Sequence, residues 1–390
     1  MSRPLVVGCA VCVLLLAGLF AVPAADGQRE KSAVTTIPVG PSDDMLWPYT
    51  SRTTTFESRT LVLNAIVMAD PKTVETLLSR RAETNWTTTD RAVESVADED
   101  PFRQPAIAAN WRSAHGAVRY TYVESGPSGD GTWLKQRYQL HVGTYLGTRH
   151  HVRAFAPTER SDWTALQAHS EYWDWFRLRH TVTDVRGTAD LLAADFESLN
   201  GTTVERRHTR PSGPLLRGIV VVSGLLPILA GRRHWSGRFE RLARPSSSTG
   251  ALAIFAVAFA MPVSVRVAGI ALERVVPLVN PKLFVVFLYP CLVAALPFTV
   301  ARRGTDSPAA LAGTAAAVGL AIGFAAEFAL LGVTPPPPIV QHRFLTATAL
   351  GLLAAGGTAL SSARTRRSLL TVAGVALWFW AVAAPLFGLV

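Results

Sequence analysis

From Asn200 onward the chain is built of long apolar runs separated by arginines, and no other feature limits its fold as tightly. The runs cover about 214–231, 249–272, 281–300, 308–333, 344–362 and 368–389. Each approaches or exceeds the roughly 18 residues that a spanning helix needs, so a six-helix transmembrane domain over 213–390 is expected. Composition agrees: 17% of the 390 residues are charged and 49% are hydrophobic, too little charge for a wholly soluble chain of this length.

The net charge of +10 is unevenly distributed. Residues 25–213 hold 22 Lys+Arg against 24 Asp+Glu, while the other 16 basic residues face 4 acidic ones and sit mostly between the apolar runs. The stretch from Arg232 to Arg244 carries five Arg, Arg302 and Arg303 form the next basic loop, and Arg364, Arg366 and Arg367 the third. Assigning these to the cytoplasm puts residues 26–212 and the C-terminus outside and leaves only Arg274, Lys282 and Arg343 in the opposite loops. The expected localisation is therefore the cell membrane, multi-pass. Such a pattern is not the footprint of a nucleic-acid binder.

Residues 1–25 read as a signal peptide or a retained N-terminal anchor, with an apolar run from Leu5 to Val22 and small residues at Val22-Pro23-Ala24. Residues 26–53 are rich in Pro, Gly, Ser, Asp and Thr and are expected to be a flexible tether. All three cysteines, Cys9, Cys12 and Cys291, lie in apolar runs, so the intervening polar domain has neither disulfides nor thiolate metal sites.

That domain, 54–212, reads as α+β. Arg59 to Met68 predicts a strand, and Asp70-Pro71 supplies an N-cap and a first helical residue for a helix to about Glu83. Arg177 to Thr183 predicts a strand, Asp184 a cap, and Val185 to Leu199 a helix. Between them, alternating segments near Val118 to Val123, Lys135 to Val142, Arg149 to Phe155 and Trp163 to Ser170 predict an antiparallel sheet with the two helices on one face.

Period 2 sorts the side chains. Tyr138, Leu140, Val142, His150, Val152 and Ala154 point to the helix-covered face; His141, Arg149, His151, Arg153, Gln167, His169, Glu171, Arg177 and Arg179 point to the other. Three readings of that polar face stay open. It is a solvated outer face, as antiparallel sheets often have. Or it is an anion-binding surface, in which Arg149, His151, Arg153, His169, Arg177 and Arg179 meet phosphate, sulfate or carboxylate. Or it is a metal or acid/base site built from His141, His151, His169 and Glu171 or Asp174. The spacing matches no metal motif, so no metal is assigned. His150 and His180 are expected to be hydrogen-bonded core histidines.

No Gly-x-Ser-x-Gly elbow, Walker loop or dinucleotide fingerprint is present, so no cofactor is expected and catalysis is left open. Arg149-His150-His151-Val152-Arg153, followed by Trp163 and by Arg179-His180 before a helix, resembles the pattern of the LssY C-terminal domain family over about residues 60–200. It is also similar to membrane proteins of halophilic archaea that carry Tyr-Gln-Leu-His, Arg-His-His and Trp-Asp-Trp-Phe in this order. The resemblance implies an extracytoplasmic accessory domain and supplies no catalytic residue.

The expected function is presentation of an extracytoplasmic binding or interaction domain, with an enzyme or transporter using the His/Arg-rich site as the alternative. Membrane lipids and an anionic ligand or envelope protein are the partners implied. Asn85-Trp86-Thr87 and Asn200-Gly201-Thr202 are candidate N-glycosylation sites. Within the membrane, Gly319 and Gly323 form a small-x-x-x-small motif, and Arg266 and Glu327 fall at similar depth, which makes them a candidate pair.

Overall fold

The computed structural model describes residues 36–40, 43–48, 63–88, 120–124, 131–199, 203–204, 245–305, 307–357 and 365–387. The expected signal or anchor, the run at 214–231, the basic segment from Arg232 to Arg244 and Asn200 lie outside them.

The strands are β1 (Ile37–Pro38), β2 (Met45–Leu46), β3 (Ala65–Val67), β4 (Thr87–Thr88), β5 (Tyr120–Glu124), β6 (Gly131–Gly143), β7 (Thr148–Phe155), β8 (Thr164–Asp174) and β9 (Arg179–Asp184). They form one antiparallel sheet in the order β1-β2-β5-β6-β7-β8-β3, with β4 beside β6 and β9 beside β8. The strand β6 is its spine. Up to Lys135 it pairs with β5, and from Gln136 it pairs with β7. The register shifts between Gln136 and Tyr138, and the Arg137 guanidinium donates to the carbonyls of Ala156 at 3.1 Å and Pro157 at 2.5 Å. A bulge bends a strand, and the sheet divides here into two packed regions.

On one face the helices α1 (Pro71–Arg80) and α2 (Arg186–Glu197) cover Leu140, Val152, Ala154, Leu166 and Ala168 with Val74, Leu78, Leu192 and Phe196. Asp70 caps α1 by accepting from Thr73 N at 3.0 Å, with Pro71 at the first helical position. Asp184 accepts from Arg186 N at 3.0 Å and Gly187 N at 2.7 Å at the start of α2.

The other face is covered too. Phe155 and Ala165, which share a face with Arg153 and Gln167, pack with Val39, Leu46 and Val123 from the β1-β2-β5 layer and with Leu134 from the first half of β6. Of the tether expected over 26–53, the described residues 36–40 and 43–48 are instead part of this layer. Val39, Leu46 and Trp47 are buried among its polar residues, Met45–Leu46 pairs with β5, and Asp44 accepts from the Trp163 indole at 2.7 Å. A few apolar residues with a sheet edge to join outweigh a disorder-like average composition.

The helical region contains α3 (Pro245–Val275), α4 (Pro281–Gly304), α5 (Ala309–Leu331), α6 (Pro337–Gly356) and α7 (Thr365–Ala383). Among the described residues four spans, Thr249–Val275, Pro281–Gly304, Ala309–Leu331 and Leu369–Leu386, are long and apolar enough to cross a membrane. Six were expected. The run at 344–362 belongs to α6, whose first turns carry Gln341, His342 and Arg343, and the run at 214–231 is outside the described residues. Leu252, Val286, Phe287, Phe298, Ile322 and Phe379 are exposed on these helices, an apolar exterior suited to lipid. A Cβ at Gly319 or Gly323 would stand 2.7 Å from the Phe255 or Phe259 carbonyl oxygen of α3, so the small-residue motif sets a close α3–α5 approach.

Candidate functional site

Strand pairing puts His141, His151 and His169 in one row across β6, β7 and β8, because His141 pairs with His151 and His151 with His169. Arg149 pairs with Glu171 in the same ladder. The row is not a solvated surface. His151, His169, Gln167 and Glu171 are all buried, which overturns the outer-face reading. Alternation along β7 identifies which residues share a face and carries no information on whether a second layer curls over that face.

The carboxyl of Glu171 is the centre of the cluster. Arg149 donates to its Oε1 at 2.6 Å, His151 Nδ1 lies 3.5 Å from the same oxygen, and His169 Nε2 lies 3.2 Å from Oε2. The two imidazole rings meet edge to face with centroids 5.0 Å apart. Gln139 Oε1 lies 2.9 Å from His151 Nε2 and accepts its proton, so His151 Nδ1 presents its lone pair toward Glu171. Burial holds both imidazoles below the usual histidine range, with Glu171 opposing it. Burial alone would raise the Glu171 carboxyl, but the facing His151 and His169 outweigh it and hold it well below the carboxylate range. Glu171 is therefore a carboxylate, with the Arg149 guanidinium as its permanently charged partner.

Beside this cluster the sheet seats two turns on the helices. The first, between β6 and β7, offers Tyr145 N and Leu146 N to Glu273 of α3 at 2.5 and 2.9 Å. The second follows β8. The Asp174 carboxylate accepts from Phe176 N at 3.0 Å and Arg177 N at 3.2 Å, folding the turn, and also accepts from Arg343 of α6. Leu178 adopts a left-handed backbone there, φ 48°, and its side chain packs on the bundle core. A branched residue held at positive φ costs of order 1 kcal/mol and needs its surroundings to impose it. Those surroundings are helices: Phe176 meets Phe324 and Trp378, Tyr172 meets Phe328, and the Trp175 ring lies against Gly269.

Arg266 joins all of these. Its guanidinium donates to Glu327 Oε1 of α5 at 2.5 Å, to Trp173 O at 2.6 Å and to Leu146 O, and it is completely buried. One charge thus holds two membrane helices and both turns of the sheet.

The structure divides the expected basic surface. Arg153 donates to Gln167 at 3.0 Å, whereas Arg179 pairs with Asp174, seven residues further along β8 and about 23 Å away at 3.3 Å per residue. Arg177 lies in the turn, not on a strand, and reaches Thr181 Oγ1 at 3.5 Å. His150 binds Thr188 of α2 at 2.8 Å, and His180 Nε2 binds Tyr145 O at 2.9 Å. Asn85 is exposed beside buried Trp86, whose indole donates to Asp195 at 2.7 Å.

Sequence reasoning missed Glu273 and the partnership of Asp174 with Arg343, and it placed Gln139 on the polar face without a role. The signal was present: Arg266, Glu273, Glu327 and Arg343 all fall toward one end of the bundle, at the ends of α3 and α5 and the start of α6.

Fold and charges together define a multi-pass membrane protein with a sheet domain fastened to one mouth of its helix bundle. No protein-family model, curated protein or solved structure matches the chain. Its chemistry is accordingly read from its own geometry.

Proposed function

We propose that the chain is a multi-pass membrane protein that presents its sheet domain outside the cytoplasm as a binding and interaction unit, and that the domain and the helices act as one coupled body. The observation that carries this reading is Arg266, whose single guanidinium is shared between Glu327 of the bundle and the carbonyls of both sheet turns. A domain that only hung from the membrane would need none of these buried charges. Orientation is supported by the charge pattern, since Arg302 and Arg303 end α4 at the side where Gly304 meets Ala354, opposite the docked mouth. The reading as an open surface for anionic envelope or lipid material is weakened by the pairing of Arg149 with Glu171 and by the distance from Arg153 to Arg179.

Two measurements test it. With the native cysteines replaced by Ser, a cysteine at Asn85 should react with an impermeant maleimide in intact cells and one at Arg303 only after permeabilisation; the reverse pattern removes the orientation. In hydrogen exchange on the purified full-length protein, Arg343→Gln should deprotect the 173–179 turn and also the 143–148 turn and the Arg266 end of α3. Deprotection confined to 173–179 would show that the units are not coupled.

A further inference from the structure

We propose that His151, His169 and Glu171 form a binding site for a divalent cation, with donor chemistry suited to zinc. The inference goes beyond the coupling of domain and bundle and does not depend on it. These three residues each offer one ligand atom, and the three atoms lie within 4.8 Å of one another in a buried setting. Two donors held at ~2.0–2.1 Å in a tetrahedral shell stand about 3.3 Å apart. His151 Nδ1 stands 3.5 Å from Glu171 Oε1 and His169 Nε2 3.2 Å from Oε2, so each nitrogen has a carboxylate oxygen at about that spacing. Imidazole nitrogen with carboxylate oxygen is a borderline donor set that selects zinc over calcium or magnesium.

A second observation is independent of this spacing. His151 Nδ1, the ring nitrogen that faces Glu171, is buried without a hydrogen-bond partner among the described residues. A purely structural polar network closes its hydrogen bonds, because a buried nitrogen left idle loses its hydration with nothing in return. His151 Nδ1 faces the Glu171 carboxylate at 3.5 Å from Oε1, too far for a hydrogen bond to close between them. A cation between them satisfies both. Gln139, by accepting from Nε2, fixes the tautomer that leaves Nδ1 free, the orienting contact usual for a metal-ligating histidine.

Arg149 opposes loading, since it holds Glu171 Oε1 at 2.6 Å. Cation binding must draw on Oε2 or displace the guanidinium. Arg149 also stacks over the Tyr145 ring at 5.1 Å, and Tyr145 N is bound to Glu273. Three protein ligands leave a coordination position over, as in zinc sites that exchange or bind a further group.

The test uses full-length protein in detergent, stripped with chelator and reloaded with zinc chloride or cobalt chloride. One equivalent of zinc should be retained per chain, and cobalt should give the intense visible absorption of a tetrahedral site. Glu171→Gln and His169→Gln should abolish retention, Gln139→Ala should weaken it about 10–100-fold, and Arg149→Gln should tighten it. Folding of each variant is followed by thermal melting. Should a ligand variant fail to fold, the wild-type cobalt spectrum and the Gln139→Ala affinity still decide. Folded wild type that keeps no stoichiometric metal, or folded Glu171→Gln that binds as wild type does, overturns the site.

Discussion

Arg266 of α3 donates twice to Glu327 of α5, through Nε at 3.0 Å and Nη2 at 2.5 Å, and neither residue reaches the surface. Removing one partner of such a pair leaves an uncompensated buried charge and costs about 3–5 kcal/mol. Glu327→Ala should therefore lower the melting temperature sharply. Adding Arg266→Ala should recover only part of the loss, because the guanidinium also serves the carbonyls of Leu146 and Trp173. A double-mutant cycle on the purified protein measures the coupling, and strictly additive losses would sink the shared-charge account.

Asp174→Asn tests the second fastening. Burial pushes this carboxyl up, but Arg343 and Arg177 more than offset it and hold it below the ordinary carboxylate range. A depressed carboxylate contributes stability above its unfolded value of 3.8, lost as pH falls through the lower folded value. At neutral pH the substitution leaves Arg343 buried without its anion, so the 173–179 turn should become protease-sensitive while α1 and α2 keep their protection. Equal loosening of sheet helices and turn would make Asp174 a general stabiliser and not a docking residue.

The strands from β6 to β9 and both sheet helices were legible in the sequence, because alternation and the two Asp caps are local signals. Three features were not. The covering of Phe155 and Ala165, on the same face as His151 and His169, depends on the β1-β2-β5 layer, whose residues Val39, Leu46 and Trp47 lie in a stretch that reads as unfolded by composition. Seating of the 144–147 and 173–178 turns depends on contacts more than a hundred residues apart, such as Asp174 with Arg343. The sixfold helix count did not hold at α6, because the described helix covers Pro337–Gly356 and so takes in Gln341, His342 and Arg343, the last of which meets Asp174 of the sheet. Only Arg266 with Glu327 could be paired beforehand, since two lone charges at equal depth in apolar runs have few other partners.

Close α3–α5 approach gives a further prediction. Gly323→Ala places a Cβ 2.7 Å from the Phe259 carbonyl oxygen and 2.9 Å from Pro262 Cγ, neither of which can yield without moving α3. Overpacking of this kind costs about 1–3 kcal/mol. The melting temperature should fall, and since Arg266 rides on α3, cross-linking between the 143–148 turn and the bundle should fall with it. Unchanged melting would mean that the helices are free to separate.

His180 makes the docked state acid-sensitive. Burial lowers its imidazole from 6.5 to about 4, outweighing Glu171, which pulls the other way. Its Nε2 binds Tyr145 O at 2.9 Å and its ring stands edge-on to Tyr145 and Trp173, so it is wedged between the two docking turns. A histidine depressed on folding contributes its full stability above pH 6.5. As pH falls from 6.5 toward about 4 the unfolded chain takes up the proton and the folded one does not, and each unit removes about 1.4 kcal/mol. The melting temperature should decline over that window, with exchange rising first at 143–148 and 173–179. His180→Gln keeps a side-chain hydrogen-bonding group and does not titrate, so it should flatten the decline while lowering stability at neutral pH. A decline of the same slope in His180→Gln would place the acid sensitivity at another group.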